Sequence, residues 1–160
     1  MADKIRQAIQ YSSPDEAISL IQQSEVDLLD GEEQTPLIHA SIHGKLDILS
    51  WLINHGAAID HQDRNGLTAL HLAIQSKQFA IASELLKHRA NIALKDKFGN
   101  APLWRAVFDA RGKYDFVTLL LQNGARPEDK NNNNKSPMDL ATTFGDQVLV
   151  QILQNHSSNC

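Results

Sequence analysis

Thr68-Ala69-Leu70-His71-Leu72-Ala73 is the stretch that decides the fold, because three other segments of the chain follow its plan. Thr35-Pro36-Leu37, Ala101-Pro102-Leu103 and Ser136-Pro137-Met138 align with it, giving intervals of 33, 33 and 35 residues. Five positions before each start stand Asp30, Asp63, Asp96 and Asn131, and five positions after stand Ala40, Ala73, Ala106 and Ala141. Copies that hold register at several offsets define an internal repeat, and a period of this length means stacked supersecondary units.

One unit can be read residue by residue. Thr or Ser caps a helix and Pro follows at the first helical position, where its missing N–H costs nothing. The Ala five residues on is small enough to let two helices approach closely. A polar turn leads to a second apolar-periodic segment such as Phe79, Ala80, Ile81, Leu85 and Leu86. Asn54-His55-Gly56 and Gln122-Asn123-Gly124 end that helix with a Gly suited to a left-handed cap. Asp63-Arg64-Asn65-Gly66 and Asp96-Lys97-Phe98-Gly99 then read as hairpin-like turns. Each unit is helix, turn, helix, loop.

The pattern resembles the ankyrin repeat. Thr68 to Ala73 is close to that family's T-P-L-H-x-A signature, and Gly56-Ala57-Ala58-Ile59-Asp60 matches its G-A-D-V-N segment. The resemblance is strong over residues 30–156. It implies an all-α solenoid of five stacked helix-turn-helix units joined by β-hairpin-like loops, with each unit burying its apolar face on its neighbours. The expected boundaries are an N-terminal capping repeat over 1–29, full repeats over 30–62, 63–95 and 96–130, a C-terminal cap over 131–156, and a flexible tail over 157–160. In the first repeat Asp3 to Gln10 and Asp15 to Gln23 supply the helix pair, and Val26-Asp27 takes the place of Ile59-Asp60.

Departures from the family pattern carry information. Ile38, Trp104 and Asp139 stand where the signature has His. Lys77 and Arg89 replace Gly at helix ends, and Glu33 and Asn134 replace it in the hairpins, so positive φ is expected at all four. The 35-residue interval marks a two-residue insertion around Ala110-Arg111-Gly112-Lys113-Tyr114. Insertions in repeat proteins map to loops, often on the binding face.

Composition narrows the partners. The 42% hydrophobic and 21% charged residues are ordinary for a globular chain, and one domain is expected at this length. With 15 Lys and Arg against 19 Asp and Glu, the formal charge is −4. No long basic run offsets it, which disfavours a nucleic-acid partner. Apolar runs such as Ile48 to Ile53 and Phe116 to Leu121 are about a third of a membrane span. No apolar leader follows Met1 to Arg6, and the single cysteine, Cys160, leaves no internal disulfide. A cytoplasmic setting away from membranes is expected. Asn134-Lys135-Ser136 and Asn155-His156-Ser157 match the glycosylation pattern but would have no route to the enzyme there.

No enzymatic constellation is visible. His39 and His43, or His55 and His61, invite a zinc reading, but no Cys ligand or carboxylate cluster completes it. His71 occupies the position where ankyrin repeats use His to bond backbone, and the other histidines are expected in turns or on exposed faces. No G-x-S-x-G elbow or phosphate-binding glycine loop occurs. Asp30, Asp63 and Asp96 read as turn formers rather than paired acids, and Asn131 to Asn134 as a polar hairpin. No cofactor, metal or small-molecule substrate is expected.

The resemblance places the variable surface at hairpin tips, at residues flanking the helix starts, and near the end of each first helix. On this chain the last set includes Tyr11, Ile42 and His43, Gln75, Phe108 and Asp109, and Phe144; tips and flanks include Arg64, Leu67 and Phe98. Arg111 and Tyr114 of the insertion lie close to Phe108 in sequence. The series is rich in aromatic and Arg residues, the types that dominate protein–protein hot spots. Acidic Glu32, Glu33, Asp109 and Asp115 are expected to steer a basic partner. The resemblance implies a non-catalytic module that grips one protein partner. Asn100 to Phe108, the lengthened loop and Ser136 to Ala141 look like short bacterial ankyrin proteins, some of which are immunity proteins that block a secreted antibacterial toxin. A general scaffold or assembly adaptor is the alternative.

Overall fold

The computed structural model describes residues 1–157 and forms ten helices, with no strand among the described residues. They are α1 (Ala2–Tyr11), α2 (Pro14–Gln22), α3 (Pro36–Ile42), α4 (Leu46–Asn54), α5 (Ala69–Gln75), α6 (Phe79–Lys87), α7 (Pro102–Asp109), α8 (Asp115–Gln122), α9 (Pro137–Phe144) and α10 (Gln147–Ser157). Residues Met1–Ala90, holding α1 to α6, form one compact unit, and the chain from Asn91 onward, holding α7 to α10, forms a second. Ser157 closes α10, and residues 158–160 of the expected tail lie outside the described residues.

Helix starts follow the expected chemistry. The side chains of Thr35, Thr68 and Ser136 accept from the amides of Ile38, His71 and Asp139. Ser13-Pro14 repeats the device at α2. The Ala101 methyl group cannot accept a hydrogen bond, so α7 starts without a side-chain cap, with Pro102 at its first turn.

Helix ends are equally regular. At the end of α4 the Gly56 amide donates to Ile53 and the Ala57 amide to Leu52; Gly124 and Ala125 do the same on Leu121 and Leu120 after α8. Arg89 and Ala90 copy that bond pattern after α6, and Lys77 and Gln78 after α5. The left-handed conformation this motif needs is present at Lys77 (φ 58°) and Arg89 (φ 63°), as it is at Gly56 and Gly124.

Inside each unit the first helix of a pair packs on its own partner and on the first helix of the adjacent pair, α1 on α3 and α3 on α5 in one unit, α7 on α9 in the other. The signature alanines Ala40, Ala73, Ala106 and Ala141 are buried at these contacts. Ile9, Leu37, Leu49, Leu52, Leu70 and Leu85 fill the first core, and Leu103, Val107, Val117, Leu120, Leu149 and Leu153 the second.

The loops are built on a repeated carboxylate or amide. One Oδ1 of Asp30 accepts the amides of Glu32 and Gln34, Asp63 those of Asn65 and Leu67, Asp96 those of Phe98 and Asn100, and Asn131 those of Asn133 and Lys135. Neighbouring tips are tied by backbone, the Arg64 amide donating to Glu32 at 3.2 Å and the Asn132 amide to Phe98 at 3.0 Å. Side chains add rungs: Gln34 donates to Asp63 and Asn131 to Asn100. Positive φ at Glu33 and Asn134 matches that of Gly66 and Gly99 at the same loop position.

Candidate functional site

The second unit brings two exposed aromatic rings into contact. Along α7, Leu103, Ala106 and Val107 turn inward, which leaves Trp104, Arg105 and Phe108 outward. Residues four apart on a helix are neighbours, and the Trp104 and Phe108 rings stack with centroids 5.4 Å apart and planes 11° from parallel. Phe144, at the end of α9, sits 6.3 Å from Phe108 at a tilted 56°. The Arg105 guanidinium lies 5.9 Å from the Phe108 ring, and its Nε donates to Asp109 at 2.7 Å. Despite these contacts Phe108 is 44% and Phe144 51% exposed.

A groove of about 440 Å³ opens beside these rings, lined by Val107, Phe108, Arg111, Gly112, Phe144, Asp146 and Leu149. Its edge is the inserted loop. Arg111 (φ 42°) and Gly112 (φ 83°) are both left-handed, and the Lys113 amide closes the turn on the Ala110 carbonyl. The positive φ at Arg111 has no precursor in the repeat, because the insertion has no counterpart in the other units. Tyr114 anchors the far side of the loop: its hydroxyl donates to both Asp146 oxygens, at 3.0 and 2.9 Å. That carboxylate raises the Tyr114 phenol above its ordinary pKa. Tyr114, expected among the partner-binding residues, thus has its polar end committed inside the fold.

Trp104 also breaks the local rule. At the same register position in α5, His71 Nδ1 accepts the Thr68 amide at 3.2 Å and completes a capping box. Trp104 substitutes ring area for that bond, and its indole N–H is buried with no acceptor among the described residues. An unpaired buried donor costs about 1–3 kcal/mol. Positions that give up stability in this way concentrate at functional sites.

The first unit's expected binding residues are less gathered. Tyr11 is 78% exposed at the end of α1, and Gln75 is exposed at the end of α5. Ile42, His43 and Leu67 are only half-buried. Arg64 is exposed at its hairpin tip, 3.5 Å from Glu32, with a second nitrogen on the Gly31 carbonyl. Phe98, 57% exposed, tips the hairpin of the second unit with Lys97 Nζ 5.2 Å from its ring centroid. Phe79, read from the sequence as part of the apolar face of its helix, is instead 46% exposed, and Val148, which that reading did not single out, is exposed as well. Two of the acids expected to steer a basic partner are already paired, Asp109 with Arg105 and Glu32 with Arg64.

One histidine departs from expectation. His39 is not in a turn or on an exposed face but is 6% exposed on α3, its Nε2 2.8 Å from Asp30 Oδ2. The hairpin carboxylate that organises its own loop with one oxygen reaches a buried imidazole with the other. Burial pushes His39 below its ordinary pKa, against the pull of Asp30. Burial works to raise Asp30, but the Gln34 and Glu32 amides and His39 outweigh it and hold the carboxyl below its usual range. His43 is lowered as well, by burial and then by His39 and Lys45. The pair is a structural clamp; among the described residues no three His, Cys, Asp or Glu gather as a metal would need.

Within each unit, short helix pairs stacked on one another, with loop tips tied by backbone and side chains presented at repeat intervals, define a repeat-protein scaffold. The chain belongs to the ankyrin-repeat family. The profile of three tandem ankyrin repeats matches residues 5–96, and that of a single ankyrin repeat matches residues 98–132. Ankyrin repeats are a protein–protein interaction module. The chain is 33% identical over 135 residues to the transient receptor potential cation channel subfamily A member 1 homolog of Caenorhabditis elegans, covering 83% of this chain and 11% of that protein. It is 35% identical over 112 residues to neurogenic locus notch homolog protein 1 of Danio rerio, 68% of this chain and 4% of that one. An ankyrin repeat protein of Rickettsia bellii is 32% identical over 144 residues, 79% of this chain and 41% of its own length. The chain therefore spans less than half of each of these relatives. Among the described residues no helix is long and apolar enough to cross a membrane.

Proposed function

We propose that this chain is a non-catalytic binding module that grips one protein partner, with the groove between the end of α7, the inserted loop and α9 as its main docking face. The observation that carries the reading is the pair of rings at Phe108 and Phe144, each about half exposed, with Phe108 stacked on Trp104 beside Arg105 and Phe144 set against Phe108. Aromatic anchors fixed before binding lose little entropy when a partner covers them. Phe98, Asp109 and Arg111 extend the face; Tyr11, Ile42, His43, Arg64, Leu67 and Gln75 form the corresponding surface of the first unit.

In its most specific form the module acts by occlusion, as a cytoplasmic immunity protein that covers an antibacterial toxin. The likeness of Asn100 to Phe108 and the lengthened loop to short bacterial ankyrin proteins supports that reading. The scaffold reading draws on a different observation, that relatives such as the notch homolog carry such repeats within much longer chains. Stoichiometry separates the two. Tagged chain is used to capture partners from native lysate, wild type beside Phe108→Ala/Asp109→Lys, and complexes are weighed by light scattering. One partner bound 1:1 and lost in the variant supports occlusion at this face, and toxic activity of that partner, silenced in the complex, completes it. Several partners held equally by the variant would refute this face and favour a scaffold.

A further inference from the structure

We infer that the Arg111–Gly112 peptide bond is a processing site, the bond at which an endopeptidase that cleaves after basic residues cuts the folded chain. The cut chain stays together as two packed pieces. Neither the site nor the outcome depends on what the Phe108–Phe144 groove binds.

Such an enzyme needs a basic side chain for its specificity pocket and, on either side of it, backbone that can be drawn out into an extended strand. Susceptibility is therefore set by exposure and by the backbone bonds that must break. The chain offers 15 Lys and Arg, and their backbones are held very differently. Lys77 and Arg89 are exposed, but their amides close helix ends on Ile74 and Leu86. At the hairpin tips the Arg64 amide donates to Glu32, and the Lys97 carbonyl accepts the Asn132 side chain. Lys113 donates its amide to Ala110, and the next residue, Tyr114, is tied to Asp146. Arg111 and Gly112 are both exposed, and among the described residues neither makes a hydrogen bond. A Cβ placed at Gly112 would meet nothing within 4 Å, so that side of the bond is open to approach.

Backbone strain favours the same bond. Arg111 holds φ 42° and Gly112 φ 83°, a left-handed conformation that residues with side chains avoid. Drawing the loop out relaxes Arg111 and breaks one backbone bond, from the Lys113 amide to Ala110 at 2.7 Å. Water then adds across the opened peptide bond, leaving a carboxylate on Arg111 and an ammonium group on Gly112. Packing across the cut is retained. Helix α7, on the first piece, lies against α8 and α9, on the second, with Leu103, Val107, Val117 and Leu120 buried. Tyr114 and Asp146 both belong to the second piece, so their bond survives as well.

The test is brief digestion of the native full chain with a trace of trypsin, read by intact mass, by N-terminal sequencing and by gel filtration without denaturant. The first cut is expected after Arg111, with pieces 1–111 and 112–160 eluting together at the volume of the uncut chain. Arg111→Gln/Lys113→Gln leaves no basic residue in the loop and should slow the first cut at least about tenfold, because every other site needs a costlier opening. Misfolding of that variant would speed cleavage instead. Tyr114→Phe loosens the far anchor of the loop and should speed the cut at the same bond. A first cut after any other residue, an unchanged rate in the Gln variant, or a loop that stays intact while the rest is degraded would overturn the site. Pieces that separate on gel filtration would overturn the two-piece particle.

Discussion

Replacing Arg89 by Gly should stabilise this protein, and the structure permits the magnitude to be worked out. The ends of α4, α6 and α8 share one bond pattern, and the residue at its centre is Gly56 (φ 84°), Arg89 (φ 63°) and Gly124 (φ 88°). The bonds from Arg89 to Leu86 and from Ala90 to Leu85, both 3.0 Å, are made whatever the side chain. A left-handed non-glycine residue costs about 1–2 kcal/mol. Gly returns part of that, roughly 0.5–1 kcal/mol, because it loosens the unfolded chain. Arg89 is exposed and, among the described residues, makes no ion pair, so its removal forfeits none. The net gain is about 0.5–1 kcal/mol, which for a chain of this size raises Tm by roughly 1–4 °C. Urea titration followed by circular dichroism, with the slope checked for constancy, measures it. A midpoint unchanged or lowered in Arg89→Gly would show that the left-handed cap is not where the strain lies.

Two other outcomes follow from packing and charge. Gly99→Ala should cost more than Gly56→Ala: both residues have positive φ, but a Cβ at Gly99 would stand 2.7 Å from the Asn132 backbone nitrogen, whereas one at Gly56 meets open space. Thermal melts of the two variants that came out equal would mean the hairpin tips give way freely. Burial of His39 and His43 makes stability fall with acid. His39 and His43 are lowered in the fold, so the unfolded chain binds more protons; their contribution is present above the ordinary His value of about 6.5 and is lost as pH falls through the lowered values. Asp30 and Asp139 are lowered too and add a second loss below the ordinary Asp value of about 3.9. His39→Gln should be less stable at neutral pH yet show a shallower decline of Tm between about pH 7 and pH 5; an unchanged slope would assign the dependence elsewhere.

What could be read from sequence was whatever a single repeat specifies locally. Thr35, Thr68 and Ser136 cap because a hydroxyl three residues from an orphan amide has one good use, and Lys77 and Arg89 were legible as strained because the aligned units put Gly there. The equivalence of Phe108 and Phe144 followed from register, and the structure brings their rings together. What stayed hidden lay in contacts that the local repeat pattern does not specify. Tyr114 finds Asp146 across 32 residues, and His39 finds Asp30 because the loop carboxylate has a second oxygen that no local pattern commits. Arg105 and Asp109 are an exception: their four-residue spacing on one helix already implies a pair that removes Asp109 from the free acids. Arg111 had no aligned counterpart, so neither its backbone conformation nor its unpaired charge was foreseeable.

Coverage of the α7–α9 face by a partner can be observed directly at the rings. The chain has 5 Phe, among them Phe79 and Phe98 as exposed as the pair in question. Fluorophenylalanine incorporation gives each ring its own fluorine resonance, assigned by single Phe→Leu variants, and the captured partner is then titrated in. Phe108 and Phe144 should shift together and saturate at one equivalent, while Phe79 stays in place. Movement at Phe79 with Phe108 and Phe144 unaltered would put the binding surface on the first unit and contradict it.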